Sequence, residues 1–325
     1  MTPFAIAGIQ LHVAAVNENV SHMKHQLDQV MGRFPWVQMV MFSELAAFGP
    51  VPQNAGSFER TEDAMASWAR HHGIWLLSGS MFEATADALY NTSTVFAPDG
   101  SIVGRYRKMF PFLPYEEGVS PGTEFLIFDV PETGRFGVSI CYDIWFPETT
   151  RTLSSAGVEV LLHPVLTGTL DREVEVAIAR ASAAMFQCYV FDINGVGAGG
   201  VGRSAVFDPS GILLYQAAGQ EAMIPLEIDL DLVRRQRETG LMGLGQPLKS
   251  FRDRGADFPI YDRSSGQAAY LDSLGPLSMP QRGSRAGLEQ KAESSHGSDE
   301  SGERGQDQGD NVHVLPSSVR VADQG

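Results

Sequence analysis

Apolar residues recur along the chain in two rhythms, short unbroken runs and helical spacings, and they alternate. Residues 4–11 and 37–42 are near-continuous apolar runs, the pattern of strands buried on both faces. Between them Val16, Val20, Met23, Leu27, Val30 and Met31 fall near helical spacing. Residues 57–72 read as a second helix, with Phe58, Met65, Trp68 and Ala69 on one side, and residues 74–82 as a strand. Runs at 90–96 and 102–106 flank Ala97-Pro98-Asp99-Gly100, which predicts a hairpin. Residues 109–122 hold prolines and glycines and read as a loop.

Residues 136–141 form a short apolar strand, and Pro147 opens a helix at a favoured first-turn position. A strand at 158–162, a helix at about 171–186 and a strand at 189–193 follow. Residues 204–207 pair with 212–215 across Asp208-Pro209-Ser210-Gly211, and a strand at 224–228 closes the series. Helices alternating with strands, with hairpins mixed in, predict an α/β domain built on mixed sheets with helices covering their faces.

That pattern assigns residues 1–250 to one domain. Residues 251–282 keep apolar positions (Phe258, Ile260, Tyr261, Tyr270, Leu271) and read as an ordered extension that packs on a further surface, a partner subunit being one candidate. Residues 283–325 are rich in Ser, Gly, Gln, Glu and Asp and are expected to stay disordered, because they bury too little apolar surface to offset their ordering entropy.

The 325 residues, 43% of them hydrophobic, suffice for a large core. A formal net charge of −15 argues against nucleic acid as a partner, since phosphates would be repelled. No apolar stretch reaches the roughly 18 residues a membrane span needs, and no secretory signal opens the chain. The two cysteines, Cys141 and Cys188, are therefore expected to be free thiols in a reducing, cytoplasmic compartment. They lack the partners of a zinc site, and no metal or other cofactor is called for.

Three reactive residues fall at or just beyond the ends of predicted strands: Glu44, Lys108 and Cys141. Ligand sites of α/β sheets collect at the carboxyl ends of strands, so the three can converge. The set is chemically complete for acyl transfer. A carboxylate takes the thiol proton, an ammonium favours the thiolate and then holds an oxyanion, and the thiolate attacks. The N–H of Tyr142, on the turn after Cys141, is a second candidate oxyanion donor. Each residue alone has an ordinary reading: Glu44 as a capping carboxylate, Lys108 as surface charge beside Arg105 and Arg107, Cys141 as an inert core thiol. Cys188, with apolar neighbours and no matched acid or base, reads as core.

Ser43-Glu44, Arg107-Lys108 and the run Gly137-Val138-Ser139-Ile140-Cys141-Tyr142-Asp143-Ile144-Trp145-Phe146-Pro147-Glu148 resemble the three signature blocks of the nitrilase superfamily of carbon–nitrogen hydrolases, in matching order. The resemblance spans residues 4 to about 237. It implies an αββα sandwich, paired into a homodimer or larger homo-oligomer. It also implies Glu44 as general base, Lys108 as oxyanion stabiliser and Cys141 as nucleophile. The family often carries a second glutamate before a Pro-Gly. Here Tyr115-Glu116-Glu117-Gly118-Val119-Ser120-Pro121-Gly122 offers two: the Glu-Gly-x-x-Pro-Gly spacing favours Glu117 as the catalytic one, with Glu116 beside the substrate, whereas counting from Lys108 favours Glu116. Tyr142-Asp143 differs from the Trp-Glu of typical true nitrilases, which favours amide over nitrile substrates.

Tyr142, Trp145 and His163 complete the expected substrate contacts, although core packing for Trp145 and structural hydrogen bonding for His163 are equal alternatives. The glycine-rich run 195–202 reads as a close backbone approach rather than a nucleotide motif. The expected activity is hydrolysis of a small amide or N-carbamoyl compound through a thioester, releasing ammonia or an amine. The alternatives are a true nitrilase, an acyl transferase, or a silent interaction protein with the same fold.

Overall fold

In a computed structural model, residues 1–15, 18–255, 257–262 and 269–279 are described. The expected tail over 283–325 lies outside the described residues, as does part of the 251–282 extension. The chain divides into a compact unit Met1–Asp253 and a second unit from Arg254 onward.

The first unit stacks two mixed sheets. The strand Pro3–Gln10 pairs in parallel with Met39–Phe42, which pairs in parallel with Trp75–Leu77. Ala222–Asp229 adds antiparallel to the far side of Pro3–Gln10. On the other flank lies Leu89–Phe96, with Met81–Ala84 and Ile102–Arg107 both paired to it. The second sheet runs Leu213–Gln216, Ala205–Phe207, Tyr189–Asn194, Val160–Val165, Gly134–Val138 and Ile127–Val130, parallel at its centre and antiparallel at its edges.

The strand period of two sorts side chains between layers. Phe4 and Ile6 face the second sheet and meet Phe136, Leu162 and Phe191 in the central core. Ala7 and Ile9 point outward to Met23 and Leu27 of helix Val20–Arg33 and to Met65 and Trp68 of helix Phe58–His72. Leu161 and Val190 point outward from the second sheet to Leu153 of helix Pro147–Ser155 and to Ala179 and Phe186 of helix Arg172–Phe186. The result is the expected αββα sandwich with mixed sheets. At Gly8 the two sheets approach closely, since a Cβ there would stand 2.3 Å from Ile193 Cδ1.

Three details depart from the sequence expectation. Residues 74–82 are not one strand, because the chain turns at Gly79, with φ +74°, between Trp75–Leu77 and Met81–Ala84. A Cβ on Gly79 would sit 2.0 Å from the Ser43 carbonyl, so the bend brings this loop against the residue before Glu44. The hairpin of Ile127–Val130 with Gly134–Val138 extends the second sheet where only its second strand was anticipated. After residue 228 a further helix, Leu230–Thr239, is capped by the Asp229 carboxylate, which accepts from Asp231 N–H. Only Leu230, Val233 and Gln236 of that helix are buried, so its apolar stripe is sparse.

The glycine-rich run folds as a small three-stranded sheet of Gly200–Val201, Val196–Gly197 and His12–Val13. Gly200, with φ +132°, leaves its Cβ position 2.5 Å from Asn194 Oδ1, the close backbone approach its composition suggested. In the second unit a 3-10 turn, Pro259–Tyr261, and a helical turn, Ala269–Asp272, are described, with Phe258, Ile260, Tyr261, Tyr270 and Leu271 exposed.

Candidate active site

Glu44, Lys108 and Cys141 arrive from three strand ends. Glu44 lies two residues past Met39–Phe42, and its N–H donates to the Val165 carbonyl of the other sheet at 3.2 Å. Lys108 follows Ile102–Arg107; its N–H donates to Asn91 O and its carbonyl accepts from Gly122 N–H, both at 2.8 Å. These bonds fix the base of each side chain. Lys108 Nζ then bridges two carboxylates, 2.8 Å from Glu44 Oε1 and 2.7 Å from Glu116 Oε2. Asn91 Nδ2 ties the same pair together, donating to Glu44 Oε1 at 2.8 Å and to Glu116 Oε1 at 3.1 Å.

Cys141 stands where the chain leaves Gly134–Val138 and enters a 3-10 turn, Cys141–Trp145. Its φ is +45°, a left-handed conformation that costs a non-glycine residue of order 1–3 kcal/mol and is held only where the surroundings impose it. Asp143 imposes it. Its buried carboxylate accepts from Ile140 N–H at 2.8 Å, from Tyr106 Oη at 2.7 Å and from Phe110 N–H at 2.8 Å. One side chain thus ties the Cys141 turn to the strand that delivers Lys108 and to the loop after it. Burial pushes this carboxyl up to about 6, against those hydrogen bonds.

Lys108 is buried, which by itself pulls an ammonium down. Glu44, Cys141 and Glu116 outweigh burial and hold it well above its usual range, so it is charged. Glu44 is raised by burial, opposed chiefly by Lys108. Burial also raises Glu116, but Lys108 outweighs it and leaves that carboxyl low. The Cys141 thiol is pushed well up by burial and by the Glu44 and Glu175 carboxylates, while Lys108 pulls it down. At rest the sulfur is therefore protonated, with the Glu44 carboxyl and the fixed Lys108 cation as neighbours.

The structure puts Glu116, not Glu117, against Lys108. Glu116 N–H donates to Phe112 O at 3.0 Å, closing a turn that aims its side chain inward, and Glu117, one residue on, is exposed. The motif spacing that favoured Glu117 does not register that turn. His163 does not reach a substrate cavity. It is fully buried, its Nδ1 is 2.8 Å from Ser139 Oγ, and it stands beside Asp192 on the neighbouring strand, so the structural alternative describes it. Burial lowers it to about 4. Tyr142 and Trp145 do line a cavity with Cys141. Cys188 is buried in the outer core, as expected, and burial raises its thiol to about 11.

That cavity, of about 1010 Å³, opens above the sulfur. Phe112, Tyr115, Tyr142 and Trp145 form one wall, and the loop from Leu166 to Asp171 forms the other. Cys141 Sγ lies 3.8 Å from the Leu166 carbonyl and 3.7 Å from Glu175 Oε1. Glu175 Oε2 accepts from Thr167 Oγ1 at 2.6 Å and from Arg172 Nη1 at 2.9 Å, and Arg172 also pairs with Asp192. Asn91, Thr167, Arg172 and Glu175 were missed in the sequence. Arg172 and Glu175 are three apart on a helix, which by itself reads as an ordinary surface pair; their burial is what sets them apart.

The fold is that of a carbon–nitrogen hydrolase. Residues 5–238 match the carbon-nitrogen hydrolase family, and the chain belongs to that family. It is 31% identical to an omega-amidase NIT2 of Xenopus tropicalis over 204 residues, covering 55% of this chain and 70% of the relative. It is 28% identical to the human omega-amidase NIT2 over 266 residues, covering 73% and 93%. Among solved structures, yeast Nit3, a member of branch 10 of the nitrilase superfamily, shares the fold with a TM-score of 0.67 at 24% identity, covering 73% of this chain and 94% of that one. An amidase from Nesterenkonia sp. shares it with a TM-score of 0.65 at 20% identity, covering 72% and 94%.

Proposed function

We propose that the protein is an amidase-type hydrolase that cleaves a small amide or N-carbamoyl compound through a thioester on Cys141. The observation that carries this reading is the Lys108 ammonium clamped 2.8 Å from Glu44 and 2.7 Å from Glu116, buried beside the only thiol that lines the large cavity. The Cys141 S–H proton passes to the Glu44 carboxylate as sulfur bonds to the carbonyl carbon. Lys108 and the Tyr142 N–H hold the oxyanion. The C–N bond breaks, and the departing nitrogen takes the proton from Glu44. Water then gives a proton to Glu44 and attacks the thioester; the C–S bond breaks, and the thiol regains its proton as the acid leaves. Glu116 positions Lys108 throughout.

The omega-amidase relatives and the Tyr142-Asp143 pair support amides over nitriles. Two free cysteines accord with a reducing compartment such as the cytoplasm. The test is ammonia release over a panel of amides and carbamoyl compounds, with matched nitriles alongside. Amides turned over by the wild type and not by Cys141→Ala support the proposal; nitriles turned over in preference, or an active Cys141→Ala, would overturn it.

A further inference from the structure

The cavity above Cys141 carries a charge pattern that bears on the acyl group. Its lining holds two carboxylates, Asp171 and Glu175, and neither a lysine nor an arginine. Glu175 is buried, and its Oε1, the oxygen not engaged by Thr167 or Arg172, is turned to the cavity floor 3.7 Å from the sulfur. The cations nearby are already engaged. Arg172 is buried and donates to Glu175, to Asp192 and to the carbonyls of Gly202 and Arg203. Lys108 is held by Glu44 and Glu116.

The opposite wall is aromatic. Phe112 packs 5.0 Å from both Tyr115 and Tyr142, and Tyr142 lies 6.1 Å from Trp145, so four aromatic rings border the same space. Aromatic rings attract cations, and a buried carboxylate does so more strongly. A substrate carboxylate entering here would face the Asp171 and Glu175 carboxyls and gain no free cation among the described lining residues in return.

We propose that this cavity selects amides whose acyl chain ends in a protonated amine, held between the Asp171 and Glu175 carboxylates and the aromatic wall, and turns away amides that end in a carboxylate. The inference rests on the amidase reading of the same site and makes it specific. It separates this chain's pocket from one built for the ω-amide of a dicarboxylic acid. Burial and Asp192 hold the Glu175 carboxyl up at about 7, and a bound ammonium would draw it toward the ionised form.

The test uses three primary amides of equal methylene length that end in an ammonium, a methyl or a carboxylate group. The expected kcat/KM is about tenfold higher for the ammonium amide than for the methyl amide, and about a hundredfold higher than for the carboxylate amide. Asp171→Asn and Glu175→Gln are each expected to narrow the ammonium-over-methyl ratio toward unity. A methyl or carboxylate amide preferred by the wild type overturns the inference and leaves the amidase reading standing. If none of the three releases ammonia, the amidase reading fails. Calorimetric binding of the same compounds to Cys141→Ala then decides the inference: tighter binding of the ammonium amide supports it, and equal or reversed affinities overturn it.

Discussion

Glu116 and Glu117 are adjacent, identical in chemistry and opposite in placement, so they separate position from composition. Glu116 holds Lys108, whereas Glu117 faces outward. Glu116→Gln is expected to lower kcat by about a hundredfold, and Glu117→Gln to change it less than about twofold, in steady-state ammonia release. Equal effects would remove Glu116 from the site.

His163 gives a test in the pH dimension. Burial lowers it from 6.5 to about 4, so between those values the unfolded chain binds a proton that the folded chain refuses. Its contribution to stability is complete above about pH 6.5 and falls as pH drops toward 4, by about 3 kcal/mol. Asp143 and Glu175, raised by burial, work in the other direction on acidification, so the comparison must be a difference. Urea unfolding of wild type and His163→Gln should show the wild type losing more stability between neutral pH and about pH 4.5; parallel losses would contradict the burial argument.

At the scale of elements, the nucleophile turn depends on bonds from elsewhere. Tyr106→Phe removes one of the three hydrogen bonds to Asp143 and is expected to cost about 1–2 kcal/mol in urea unfolding, with a fall in kcat. Gly8→Val, where the sheets touch, is expected to cost about 1–3 kcal/mol, because Ile193 must give way. The strands that deliver Glu44 and Cys141 were legible as short apolar runs, and the one before Lys108 as the second arm of a hairpin. Gly79, the Asp143 pin and the Asn91 clamp were not, because turn geometry and contacts between residues tens of positions apart leave no period in a sequence. Helix Leu230–Thr239 escaped for another reason: charged residues, Arg234, Arg235 and Arg237 among them, dominate its surface, and few apolar ones mark its buried side.

At the scale of the whole molecule, the two-sheet sandwich is what makes one site from distant segments. Glu44 and Lys108 come from the first sheet, Cys141 from the second, and the Glu44-to-Val165 backbone bond spans them. The short edge strand Leu213–Gln216 of the second sheet leaves Leu213, Leu214 and Tyr215 exposed, and an exposed apolar edge invites pairing. Light scattering on the full chain is expected to give a dimer or larger species, as the family resemblance implies; a monomer at working concentration would remove that expectation.

On the proposed mechanism Glu44, Lys108 and Cys141 act as one acylating unit. Acid-quenched turnover of an amide substrate, followed by peptide mass spectrometry, measures it most directly. The expected result is the acyl mass on the peptide containing Cys141, none on that containing Cys188, and no adduct with Glu44→Gln. Turnover in which Cys141 never carries the acyl group would contradict it.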